Sequence, residues 1–189
     1  MGRVLVEHGH FANDTMLIRT LWDHRFRADG QMIVTVKVFI AGGLPPLPRV
    51  GALLLLQNSP EEVRWFGRGP HENYPDRLAS ADVGHWRLPL DAMHTDYIFP
   101  SENGLRCDVS QAQIGAVTLT GRFHFGVSRY GREQLMTSTH YHQLRAQDGL
   151  QVTIDGYHMG VGGDDSWTPS TKPRYLLDRT YYQWGFSLS

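Results

Sequence analysis

Gln31-Met32-Ile33-Val34-Thr35-Val36-Lys37-Val38-Phe39-Ile40 decides the fold class. Met32, Val34, Val36, Val38 and Ile40 alternate with Gln31, Ile33, Thr35, Lys37 and Phe39, and a strand sends successive side chains to opposite faces. The stretch therefore reads as a strand with both faces partly covered. The same period returns at Phe123, Phe125 and Val127, at Leu150, Val152 and Ile154, and at Tyr182, Trp184, Phe186 and Leu188. Residues 4–7, 16–21, 52–57, 63–66 and 116–120 also read as strands, each bounded by Gly, Pro, Asn or Asp. Only residues 131–136 hold enough good helix formers for a turn or two. Many short strands without alternating helices predict an all-β protein of stacked antiparallel sheets rather than βαβ units.

The chain has 189 residues, which predicts one domain over residues 1–189; Gly42-Gly43-Leu44-Pro45-Pro46-Leu47-Pro48 then reads as a proline-stiffened loop. Eighteen basic against nineteen acidic residues leave a net charge of −1, too little positive field for a phosphate backbone, so no nucleic-acid partner is expected. The longest purely aliphatic run, residues 52–56, is far short of the roughly 20 apolar residues that span a bilayer, so no membrane association is expected. No secretion signal is read at the N-terminus, and the single cysteine, Cys107, cannot form an internal disulfide. Both fit a cytoplasmic protein with a free, structurally neutral thiol.

Residues that could carry chemistry concentrate in one loop, Gly156-Tyr157-His158-Met159-Gly160-Val161-Gly162-Gly163-Asp164-Asp165-Ser166-Trp167-Thr168-Pro169. It lacks the lysine of a phosphate-binding loop. Trp167 can offer an indole face to a sugar, although packing is the commoner use of a tryptophan. Asp164 and Asp165 read first as turn residues. Glu72 and Glu102 lie in turn-like surroundings that favour backbone or salt-bridge roles over catalysis, so no catalytic residue is assigned. His140 and His142, or His8 and His10, would share a strand face, but two ligands do not make a zinc site and none is assigned.

Four motifs occur in order: Trp65-Phe66-Gly67-Arg68-Gly69-Pro70-His71-Glu72-Asn73-Tyr74-Pro75-Asp76-Arg77, Pro100-Ser101-Glu102-Asn103-Gly104, Ser128-Arg129-Tyr130, and His158-Met159-Gly160-Val161-Gly162-Gly163-Asp164-Asp165-Ser166-Trp167. Together they resemble the C-terminal, or small-chain, domain of bacterial β-galactosidases of glycoside hydrolase family 2. The resemblance implies a large antiparallel super-sandwich, related to the galactose mutarotases, beside a catalytic TIM barrel that carries the reacting glutamates. That barrel, in the same polypeptide or a large subunit, would be the partner, and a galactoside such as lactose the substrate. The resemblance places Trp167 as an aromatic platform on the glucose side of lactose. Gly160, Gly162, Gly163, Asp164 and Asp165 then shape the base of its loop. No cofactor is expected in this chain; any divalent or monovalent cation of the complete enzyme would sit in the barrel. Two rival functions remain open at this point, a carbohydrate-binding module and a mutarotase-like epimerase, the second needing a histidine acid and a glutamate base.

Overall fold

A computed structural model describes residues 2–165, 167–168 and 170–189. Ten strands make up nearly all its regular structure: β1 (Gly2–Ala12), β2 (Thr15–Phe26), β3 (Met32–Ile40), β4 (Arg49–Leu56), β5 (Glu62–Gly69), β6 (Asp82–Pro89), β7 (Arg106–Ile114), β8 (Val117–Ser128), β9 (Leu150–His158) and β10 (Tyr181–Leu188). One six-residue helix, α1 (Arg132–Thr137), and three 3-10 turns complete it. Among the described residues no helix is long and apolar enough to cross a membrane.

All the strand pairs are antiparallel, in the order β1-β2-β3-β10-β8-β7-β5-β6. The sheet forks at β8. Leu119, Thr120 and Gly121 pair with β10, whereas residues 124–128 pair with β9, which carries β4 on its far side. The period-2 alternation of the apolar residues turns one face of each strand inward. Val34 and Val36 of β3, Phe123 and Phe125 of β8, Val152 and Ile154 of β9, and Trp184 and Phe186 of β10 thereby share one core. Trp65 of β5 meets Phe125 of β8 edge-on at 5.9 Å, a contact that spans the intervening β7.

Several strand expectations are corrected. Residues 117–120 and 122–128 belong to one strand, because β7 pairs with β8 on both sides of Gly121, and Ala116 falls in the turn before it. Two strands, β6 and β7, are additional to those the alternation predicts. In β7 the buried apolar positions fall at Cys107 and Val109 and then at Ala112 and Ile114. Register shifts on either side of Val109 move the parity by one, which erases the alternation a sequence reading depends on. In β6 only Trp86 and Leu88 form an apolar row, because the strand is at the sheet edge and shows its other face to solvent.

A smaller cluster of Tyr74, Leu105 and Cys107 lies under the Glu72–Arg77 turn. Cys107 has no exposed surface; its backbone N–H donates to Asn73 Oδ1 at 2.9 Å and its thiol to Asn73 O at 3.3 Å. Burial pushes the thiol pKa up, and the thiolate is the reactive form. In the native protein at pH 8, less than about a tenth of a thiol equivalent should react with Ellman's reagent within minutes, with one full equivalent released on unfolding. Rapid native reaction would contradict this burial.

Candidate functional site

The Gly-rich loop leaves β9 at His158 and is pinned at once to its surroundings. Met159 N–H donates to Pro48 O at 3.0 Å, Gly160 N–H to Tyr175 O at 3.0 Å, and Thr171 Oγ1 to Gly160 O at 3.2 Å. The main anchor comes from the first motif, 85 residues away in sequence. The Asp76 carboxylate, whose side chain is 4% exposed, accepts the N–H groups of Val161 at 3.0 Å and Gly162 at 2.8 Å. Arg77 donates to Gly162 O and reaches Asp164 Oδ1 at 3.0 Å.

This contact explains the glycines. A Cβ on Gly160 would stand 2.5 Å from Asp76 Oδ2, so only glycine admits the carboxylate that close. Gly162 and Gly163 have φ of 69° and 73°, the left-handed region that ordinary side chains resist. The two aspartates do different things. Asp164 pairs with Lys172 at 2.7 Å and with Arg77, so side chains rather than backbone hold it. Asp165 accepts the N–H groups of Trp167 at 2.8 Å and Thr168 at 2.6 Å, an Asx turn that orients the tip. The turn leaves Trp167 with 91% of its surface exposed. Ser166 of the quoted motif lies outside the described residues.

The hydrogen bond from Lys172 lowers the Asp164 pKa, and the backbone N–H of Thr168 does the same for Asp165. A carboxylate held below its unfolded pKa favours the ordered loop above about pH 3.9 and loses that effect as pH falls through the folded value. Amide exchange at Trp167 and Thr168, corrected for its intrinsic pH dependence, should thus be slow near neutrality and quicken below that pH. Protection unchanged down to pH 2 would show that these carboxylates do not order the tip.

Beneath the loop lies a cluster of charged groups. Arg49 donates to Asp155 Oδ1 at 3.2 Å, pairs with Asp155 Oδ2, and reaches Glu102 at 3.2 Å. Asp155 is 1% exposed. One guanidinium therefore fastens the Pro100–Gly104 turn to the end of β9, just before the loop departs. His158 Nδ1–H donates to Met159 O at 2.7 Å, and its Nε2 lies 3.9 Å from Glu102. Burial raises the Glu102 pKa and lowers that of His158. This is the histidine–glutamate proximity an epimerase would need, but the cavity lined by Glu102 is about 40 Å³, room for roughly one water. Sugar-sized ligands take pockets of roughly 300 Å³ or more. Glu72 accepts the Tyr97 hydroxyl and, at 2.7 Å, the N–H of Gly104. Both glutamates thus hold turns together.

The histidine pairs behave differently from each other. His8 and His10 do lie on one face of β1, but His140-Tyr141-His142 enters a 3-10 turn, where the two rings stack at 5.5 Å instead of sharing a strand face. Among the described residues no group of three or more His, Cys, Asp or Glu is placed to hold a metal ion.

The sequence matches the family model described as β-galactosidase small chain over residues 3–188. The chain belongs to the β-galactosidase small-chain family. Among its relatives, the β-galactosidase of Aeromonas hydrophila is 49% identical over 187 residues, which are 97% of this chain and 18% of that protein. That of Yersinia enterocolitica is 54% identical over 168 residues, 89% of this chain and 16% of its own length. The Vibrio cholerae β-galactosidase is 46% identical over 185 residues, 98% of this chain and 18% of its own. This small-chain sequence thus spans less than a fifth of the β-galactosidases it matches.

Asp76, Arg77, Arg49, Asp155 and Lys172 escaped the sequence reading of the site. Asp76 and Arg77 stand in a quoted motif, yet no spacing rule links them to a loop 85 residues on.

Proposed function

We propose that this chain is the small-chain part of a family 2 glycoside hydrolase of the cytoplasm that cleaves terminal β-D-galactosides such as lactose. The reacting carboxylates sit in a TIM barrel supplied by the remainder of the enzyme, as does any cation it requires. This chain contributes Trp167, presented as a platform for the sugar on the leaving-group side. The observation that carries the reading is an indole 91% exposed at the tip of a loop whose base is tied down by a buried carboxylate. An indole held in the open at a fixed loop tip is free to meet a ligand, and the C–H face of a sugar suits it. Gly160, Gly162, Gly163, Asp164 and Asp165 shape the base and tip, leaving Trp167 to meet the sugar.

The test is a chimera in which this chain replaces the matching segment of the Aeromonas hydrophila β-galactosidase. The folded chimera should hydrolyse lactose, while the same enzyme without the segment and this chain alone should not. An inert but folded chimera, or turnover of a nitrophenyl β-galactoside by the pure chain, would overturn the reading.

A further inference from the structure

The core-facing side of β3 does not stop at β3. Register places Val34 opposite His24 and Val4, Val36 opposite Trp22 and Val6, Val38 opposite Thr20 and His8, and Ile40 opposite Ile18 and His10. Facing residues of an antiparallel ladder project to the same side, so these rows form one continuous surface. Burial falls steadily across it. Val34 and Val36 are 2% and 1% exposed, Trp22 and Ile18 are half-buried, and Val4 is 49% exposed. Nδ1 of His24 is shut off from solvent without a hydrogen-bond partner. On the opposite face of β1 and β2, ion pairs of Arg3 and Arg25 with Asp23 and of Arg19 with Glu7 surround the exposed Leu5. The ion-paired residues of β1–β2 thus gather on one side, and the continuation of the core on the other.

From this gradient, and resting on the reading of the chain as part of a longer β-galactosidase, we infer that the Val4–Val6–Trp22 face is covered by a layer from the part of that enzyme outside this chain. Three observations select this occupant. The face is continuous with the core of the chain, so its cover must extend that core rather than dock as a separate module. More than four-fifths of each matched β-galactosidase lies outside the segment, ample chain for such a layer. The eleven-residue β1 is exposed almost throughout, and a long bare edge strand is what native proteins ordinarily cover. The covering layer presents apolar side chains over Val4, Val6 and Trp22.

Adjacent positions on opposite faces make the test. Val4→Cys and Leu5→Cys are made separately in the chimera described above; the resident Cys107 is buried and serves as an internal blank. Val4 and Leu5 are 49% and 66% exposed in this chain, so exposure alone predicts comparable rates of maleimide labelling. The covered face predicts labelling at Val4→Cys slower by about tenfold or more in the chimera, with Leu5→Cys fast, and comparable rates at both positions in the isolated chain. Equal rates in an active chimera would overturn the inference while leaving the functional reading intact. Protection of Val4→Cys in the isolated chain that grows with concentration would overturn it in favour of a second copy. A folded chimera with protected Val4→Cys and no activity would support the cover and sink the functional reading instead.

Discussion

In the complete enzyme, Trp167→Ala is expected to raise KM for lactose about tenfold or somewhat more and to leave the melting temperature unchanged. The size follows from what an indole gives a sugar ring: an aromatic contact worth roughly 0.5–1.5 kcal/mol beyond the apolar area it buries, against 1.4 kcal/mol per decade of affinity. The absence of a stability effect follows from exposure, since a side chain with 91% of its surface in solvent supports no core. Trp65, 3% exposed, is the control, and Trp65→Ala should cost about 3–5 kcal/mol of stability in the usual range for core tryptophans. The loss at Trp167 should also be selective. A platform on the leaving-group side matters for lactose and for transfer to a glucose acceptor, and matters less for a galactoside with a small leaving group. Trp167→Phe should fall between, because the smaller ring keeps part of the face. A lower melting temperature with an unchanged ratio of KM between the two galactosides would mean that Trp167 does not meet the sugar.

Asp76→Ala should cost as much as losing Trp167 itself, although Asp76 is a positioning residue at the base of the loop. Its carboxylate accepts the N–H groups of Val161 and Gly162. Hydrogen bonds to a charged group contribute about 1.5–3 kcal/mol each, so removing both loosens the loop by roughly 3 kcal/mol or more. Apparent affinity falls in proportion to the fraction of loops still in the competent arrangement. A tenfold or larger rise in KM for lactose is therefore expected, with Asp76→Asn milder because one acceptor oxygen remains. The double variant separates positioning from general damage. Once Trp167 is gone, loosening its loop has little left to spoil, so Asp76→Ala and Trp167→Ala should combine far below additivity. Additive losses, or equal losses on both galactosides, would show that Asp76 supports the protein and not the platform.

The strands that sequence reading finds are those whose buried faces keep strict alternation, such as Met32–Ile40 and Tyr181–Leu188. β7 escapes because its two register shifts change which face the apolar residues occupy, and nothing in the local pattern marks the shift. β6 escapes because an edge strand needs only a two-residue apolar row. The site divides along the same line. Its loop stands out for glycine, carboxylate and indole density within a dozen residues, a purely local signal. What holds the loop is non-local: Asp76 and Arg77 reach it only because the strands between fold back on one another, and Asp155 is visible only once β9 has buried its carboxylate against Arg49.

The same anchor constrains how parts of this chain can be exchanged with those of a relative. A recombination crossover anywhere between Arg77 and Gly160 draws the carboxylate from one parent and the peptide groups it grips from another. Because the fit tolerates no Cβ at Gly160 and depends on left-handed backbone at Gly162 and Gly163, the two pieces must travel together for the graft to present its tip. For a transplant of this loop the two motifs are therefore one unit, whatever the number of residues that separates them.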